Sequence, residues 1–207
     1  QATAEAALAA QTTAITDAGF ANVDALIAAY DALVNPAAQT VALTTGIDTI
    51  TGTAGDDTIN GLQSGGADET LGTADTINGG AGTDTLNFTM SEDGVFNIPT
   101  VTNVEVINVR NVATQTGVRT LDMDNFSGAT SLVSDREVST INFSDIALTT
   151  AVTISGASAT ADSTFTFKAA ALTGAADAVT VTLAGAEAGA DVELAGDVET
   201  VTLNVTA

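Results

Sequence analysis

The chain has 207 residues, with 26 Asp plus Glu against 4 Lys plus Arg and a formal net charge of −22. That balance excludes nucleic acid and anionic membrane surfaces as partners and leaves cations, chiefly divalent ones, as the natural counter-charge. With no Cys and no His, thiolate and imidazole metal sites are ruled out, as are Ser-His-Asp and Cys-His catalysis; only an oxygen-lined site for a hard cation stays open.

Residues 1–36 read as a helical N-terminal segment. A first, weaker helix is predicted over about 3–17, ending at Gly19. A second follows Asn22, which can cap it, and stops at Asn35-Pro36. In this second helix Val23, Leu26, Ile27, Tyr30, Leu33 and Val34 follow the i, i+3, i+4, i+7 spacing of one buried face, as expected of a cap packed on the next module. No run of 18 apolar residues exists to span a bilayer. The start lacks the basic end of an intact signal peptide. The last residues, ETVTLNVTA, stop inside a strand-like pattern, which reads as a cut fragment or a strand completed by another chain.

From Ala37 the pattern turns to short strands. Residues 43–87 divide into nines: LTTGIDTIT, GTAGDDTIN, GLQSGGADE, TLGTADTIN, GGAGTDTLN. Aspartate takes the sixth place in four of the five blocks (Asp48, Asp57, Asp75, Asp84), and an aliphatic residue takes the eighth (Ile50, Ile59, Ile77, Leu86). A G-x-x-G-x-D turn lets backbone carbonyls, as at Gly55 and Gly82, point at an ion while the aspartate adds a carboxylate. The apolar residue two places on is buried.

Successive turns fall on opposite sides of the roll, so two blocks complete one coil, and same-side turns lie eighteen residues apart and stack at about 4.8 Å. Asp57 would then share an ion with Asp75, and Asp48 and Asp84 would lie on the other side. Asp57 and Asp75 are the foremost candidate ligands, followed by Asp84 and then Asp48, with Asp56 as auxiliary. The middle block breaks the rule, with Gly66 in the aspartate place and Asp68 in the apolar place. It either loops out or offers Asp68 or Glu69 as a substitute ligand. Two carboxylates about 5 Å apart repel by roughly 3 kcal/mol at an effective dielectric near 20. Without calcium such contacts would consume much of a stability of about 5–15 kcal/mol. The 43–87 segment is therefore expected to be disordered without Ca2+ and to fold with it.

Over 88–207 alternation with period two dominates, for example Ile141 and Phe143, Phe165 and Phe167, and Val179, Val181 and Leu183. Short strands recur between Gly, Ala, Ser and Asp turns, the pattern of a parallel β-helix or β-solenoid; a β-sandwich is the alternative. The fold class is thus mainly β, a calcium-binding β-roll at 43–87 leading into stacked strands at 88–207 after a short helical segment. Two further acidic turns, 91–94 and 122–125, are read as solvated or as holding extra calcium.

GTAGDDTIN and DTINGGAGTDTLN resemble the calcium-binding repeats of RTX proteins, which bacteria export by type I secretion. The order of helical lead, repeats, insert, repeats and VTNVEVINV is similar to that of bacterial surface-layer proteins with RTX-type repeats, the motif-bearing part covering 43–109. The resemblance implies a secreted, extracellular, cell-surface protein that folds with calcium and self-assembles with other copies of itself into an S-layer or filament. It also implies metal-binding roles for Asp57, Asp75 and Asp84. The alternative is a calcium-binding module of a large secreted RTX adhesin or toxin. A cell-surface glycan or lipopolysaccharide is a further partner, through residues the sequence does not single out. Aromatic residues are only 4%, too few for sugar platforms beside paired carboxylates, so no enzyme is expected.

Overall fold

The computed structural model describes residues 16, 19, 21–34, 37–91, 98–113, 119–156, 162–168, 172, 176–185, 191–195 and 197–206. The expected first helix over 3–17 and the acidic turn at 91–94 fall outside these, save Thr16 and Ser91. The chain divides into two compact units, Gln1–Ala37 and Ala38–Ala207.

The first unit contains α1 (Val23–Val34). Asn22 caps it: its side-chain oxygen accepts the Ala25 N–H at 2.8 Å, satisfying one of the orphan donors of the first turn. The apolar stripe expected to be buried is instead exposed at Val23, Ile27 and Tyr30. The described residues of this short unit provide no second element to cover it.

In the second unit the strands run, in chain order, β1 (Thr40–Ala42), β2 (Thr49–Thr51), β3 (Thr58–Gln63), β4 (Thr76–Asn78), β5 (Thr85–Met90), β6 (Thr100–Thr102), β7 (Val106–Asn111) and β8 (Arg119–Asp122). They continue with β9 (Phe126–Ser127), β10 (Ser131–Asp135), β11 (Ile141–Ile146), β12 (Ala151–Ser155), β13 (Asp162–Phe167), β14 (Ala178–Ala184), β15 (Asp191–Ala195) and β16 (Thr200–Thr206). All pairings are parallel, as the β-roll and β-solenoid reading requires. One long sheet runs β1-β3-β5-β7-β10-β12-β14-β16 through the whole unit. The strands between its members form two shorter sheets, β2-β4-β6-β9 and then β8-β11-β13-β15. The coil after β7 contributes to both: β8 opens the third sheet, a 3-10 turn at Met123–Asn125 follows, and β9 closes the second.

Alternation places one side chain in two inside, and the registers stack those side chains into columns. Ile59, Leu86, Ile107, Leu132, Val152 and Val181 succeed one another along the long sheet, all essentially inaccessible to solvent. Burying each is worth about 1.5–3 kcal/mol. In the third sheet Leu121, Phe143, Phe165 and Leu194 form the matching column. Its two rings stack at a centroid separation of 4.8 Å. The outer face of the long sheet carries an amide ladder: Asn87 donates to Asn60 at 3.1 Å and Asn108 donates to Asn87 at 2.7 Å. Such ladders fix register, because a slip of one residue would turn each amide inward.

The coil length differs from the even eighteen expected. Thr40 pairs with Thr58, eighteen residues on, but Thr58 pairs with Thr85 and Thr49 with Thr76, each twenty-seven on. The extra nine residues are the irregular middle block. It lengthens β3 to six residues and widens the loop that follows. The loop closes on itself, with the Ser64 hydroxyl donating to Asp68 at 2.7 Å and the Gly65 N–H to Glu69 at 2.8 Å.

Candidate metal centre

A strand start is a fixed place in a parallel coil, so the residues just before successive strands pile into a column. Before β1, β3, β5, β7 and β10 these residues are Gln39, Asp57, Asp84, Glu105 and Thr130. Each of the three carboxylates takes a backbone N–H from the preceding coil. Gln39 N–H donates to Asp57 Oδ1 at 2.6 Å, Asp57 N–H to Asp84 Oδ1 at 2.7 Å, and Asp84 N–H to Glu105 Oε2 at 2.8 Å. On the opposite edge, before β2, β4 and β6, stand Asp48, Asp75 and Pro99, and Asp48 N–H donates to Asp75 Oδ1 at 2.9 Å.

The pairing therefore differs from the sequence expectation. Asp57 joins Asp84, and Asp48 joins Asp75, because the middle block shifts same-side turns to twenty-seven residues. Asp68 and Glu69 hydrogen-bond within their own loop, and Glu69 Oε1 also comes beside Gly72, in the turn of Asp75. Asp56 is exposed at the outer side of the first column, where it accepts the Thr83 N–H at 2.7 Å. Gly55 and Gly82 face each other in successive turns: a Cβ on Gly82 would lie 2.8 Å from the Gly55 carbonyl oxygen. The residue that sequence reasoning missed is Glu105.

Two close approaches define the inside of the first column. A Cβ on Gly52 would lie 1.8 Å from the Gly79 carbonyl oxygen and 2.4 Å from Asp57 Oδ2. One coil on, a Cβ on Gly79 would lie 1.9 Å from the Asn103 carbonyl oxygen and 2.5 Å from Asp84 Oδ2. Only glycine allows a carbonyl and a carboxylate to converge over its Cα in this way.

The two aspartates are buried alike but held differently. Asp57 Oδ2 accepts the Thr53 N–H at 2.5 Å and the Thr53 hydroxyl at 3.2 Å. Burial pushes the Asp57 carboxyl up, but the N–H groups of Gln39 and Thr53 and the Thr53 hydroxyl outweigh it, so it lies below the usual carboxylate range. In the next turn Gly80 stands where Thr53 stood. It has no hydroxyl, and its N–H donates to Asn78 at 3.1 Å. Asp84 Oδ2 is left buried without a hydrogen-bond partner. Burial, together with the like charges of Asp57, Glu105 and Asp56, pushes the Asp84 carboxyl above its ordinary value despite the Asp57 N–H. A buried acceptor of this kind costs about 1–3 kcal/mol unless something satisfies it.

Residues 42–68 and 70–89 match the RTX calcium-binding nonapeptide repeat, in four copies. These turns are RTX repeats. RTX repeats bind calcium ions; they are structural and generally not enzymatic, and the proteins that carry them are typically secreted. No curated protein and no solved structure matches the chain. Among the described residues no helix is long and apolar enough to cross a membrane.

The RTX turns here fit calcium by their donor set. Among the described residues no three carboxylates gather at one point. The first column instead combines two carboxylates, Asp57 and Asp84, with the Gly79 and Asn103 carbonyls beside them, and Asp84 Oδ2 has no partner of its own. Bound calcium would supply positive charge to carboxylates that otherwise repel across one coil spacing.

Elsewhere the acidic turn at 122–125 has a cation of its own. Lys168 Nζ lies 2.5 Å from Asp124 Oδ1, and the Asp124 hydrogen bond raises the Lys168 ammonium above its ordinary range. Farther along, Glu137 is fully buried between β10 and β11. It accepts the Ser163 hydroxyl with Oε2, while Oε1 has no partner.

Proposed function

We propose that this chain is a calcium-dependent structural module of an exported protein, non-enzymatic, that assembles with copies of itself on a bacterial cell surface. Asp57, Asp84, Asp48 and Asp75 hold the ions, and carbonyls such as those of Gly55 and Gly79 complete the ligand sets. The observation that carries this reading is the joining of carboxylates across successive turns, Asp57 with Asp84 and Asp48 with Asp75, inside segments that match the calcium-binding repeat. Extracellular calcium modules bind at about 10⁻⁴ to 10⁻³ M, so such sites fill outside the cell and empty in the cytosol. Self-assembly is the reading suggested by the likeness of the ordered repeats, insert and VTNVEVINV segment to surface-layer proteins.

The second reading is a calcium-binding module within a larger secreted RTX adhesin or toxin, favoured by the RTX match itself, which covers the repeats and not the later coils. Circular dichroism with and without chelator tests the calcium dependence, with loss of strand signal on chelation expected and an unchanged spectrum against it. Electron microscopy at millimolar calcium separates the two readings: sheets or fibres favour assembly, whereas dispersed single particles favour the module.

A further inference from the structure

The first carboxylate column does not end where the RTX repeats end. The matched segments stop at residue 89, yet the next turn, residues 103–105, repeats the relation that the RTX turns have to one another. Where Gly52 faces the Gly79 carbonyl and Asp57 Oδ2, Gly79 faces the Asn103 carbonyl and Asp84 Oδ2. Where Asp57 N–H binds the Asp84 carboxylate, Asp84 N–H binds that of Glu105. The turn that does this is three residues long rather than six and contains no glycine. It reaches the same place because Asn103 takes a left-handed backbone, φ 50°, and the longer glutamate side chain spans the difference.

We infer that Asp84, the Asn103 carbonyl and Glu105 form a further divalent-cation site, one coil beyond the repeats, for calcium or another hard cation of its size. The independent sign of a ligand is Asp84 Oδ2, buried without a partner on the side that faces Asn103. In the preceding turn the corresponding oxygen also has Thr53 as a donor; here Gly80 removes that donor and leaves a cation as the one partner the oxygen can take. Thr130 follows Glu105 in the column and has only a hydroxyl, so the series ends there. This site rests on the calcium-binding reading proposed above and adds one ion to it.

The test is calcium stoichiometry of the full chain by equilibrium dialysis, comparing the unaltered protein with Glu105→Gln. The amide retains an oxygen for the Asp84 N–H, so the fold is kept, and circular dichroism at saturating calcium checks this. The expected result is the loss of one calcium equivalent per chain, the others remaining. Unchanged stoichiometry in a folded variant overturns the inference and leaves the calcium-binding reading standing. Absence of calcium binding by the unaltered chain overturns both. If the variant fails to fold, anomalous diffraction from calcium-grown crystals of the unaltered protein decides. A peak bounded by Asp84, the Asn103 carbonyl and Glu105 supports the site, and peaks confined to the RTX turns overturn it.

Discussion

Glu137 offers a measurement that does not involve calcium. Its carboxyl is fully buried, one oxygen has only the Ser163 hydroxyl and the other has nothing. Burial pushes it from the ordinary 4.5 up to about 8, against the smaller downward pull of Ser163. Because the folded value is the higher one, the protonated form favours folding. That stability is complete below about pH 4.5 and is lost progressively as pH rises through about 8. At about 1.36 kcal/mol per tenfold change in proton affinity, the full loss is roughly 5 kcal/mol, of which about 3 falls between pH 6 and 9. That is a large share of an ordinary domain's stability of about 5–15 kcal/mol.

The assay is denaturant unfolding at saturating calcium, at pH 6 and pH 9, for the unaltered chain and Glu137→Gln. The amide is neutral at both pH values and can still accept from Ser163. The variant should lose the pH dependence that the unaltered chain shows and be the more stable of the two at pH 9. An equal fall of stability in both proteins would refute the argument, since the titrating group would then lie elsewhere.

Three other outcomes are expected. Gly79→Ala should destabilise the calcium-loaded protein by about 3 kcal/mol or more, because a backbone carbonyl and a carboxylate already fill the space of the new methyl; an unchanged melting temperature would contradict the close stacking of the turns. Asp84→Asn should change sign with calcium: it removes a carboxylate that burial and its neighbours disfavour, so the chelated protein should melt no lower, while the calcium-saturated protein should melt lower. Equal falls in both conditions would count against a ligand role. Phe165→Ala, which deletes a fully buried ring stacked on Phe143, should cost about 3–5 kcal/mol by chemical unfolding; a loss below about 1 kcal/mol would show that the third sheet is loosely packed.

The nine-residue phase made the turns and the strands after them readable, since aspartate, glycine and an aliphatic residue recur there at fixed offsets. The pairing was not readable. Whether GLQSGGADE makes a coil of its own or widens one depends on where β3 ends, and Leu62 and Gln63 give no local sign of that. Glu105 was hidden for a related reason: its turn lacks the glycines and the spacing by which the others are recognised, and only the register of β5 with β7 brings it under Asp84. The alternating segments after residue 88 foretold stacked strands. The transfer from the second sheet to the third between β8 and β9 rests on a short 3-10 turn that alternation does not reveal. Burial of Glu137 inside an otherwise exposed corner runs against the ordinary behaviour of its residue type.

The ammonium of Lys168 against Asp124 divides the solenoid by the origin of its positive charge. The later coils carry a cation that is covalently their own, while the RTX coils must borrow theirs from the medium. Dilution of the medium therefore strips positive charge from the RTX coils alone, whereas the exposed Lys168–Asp124 pair keeps its own at any calcium concentration.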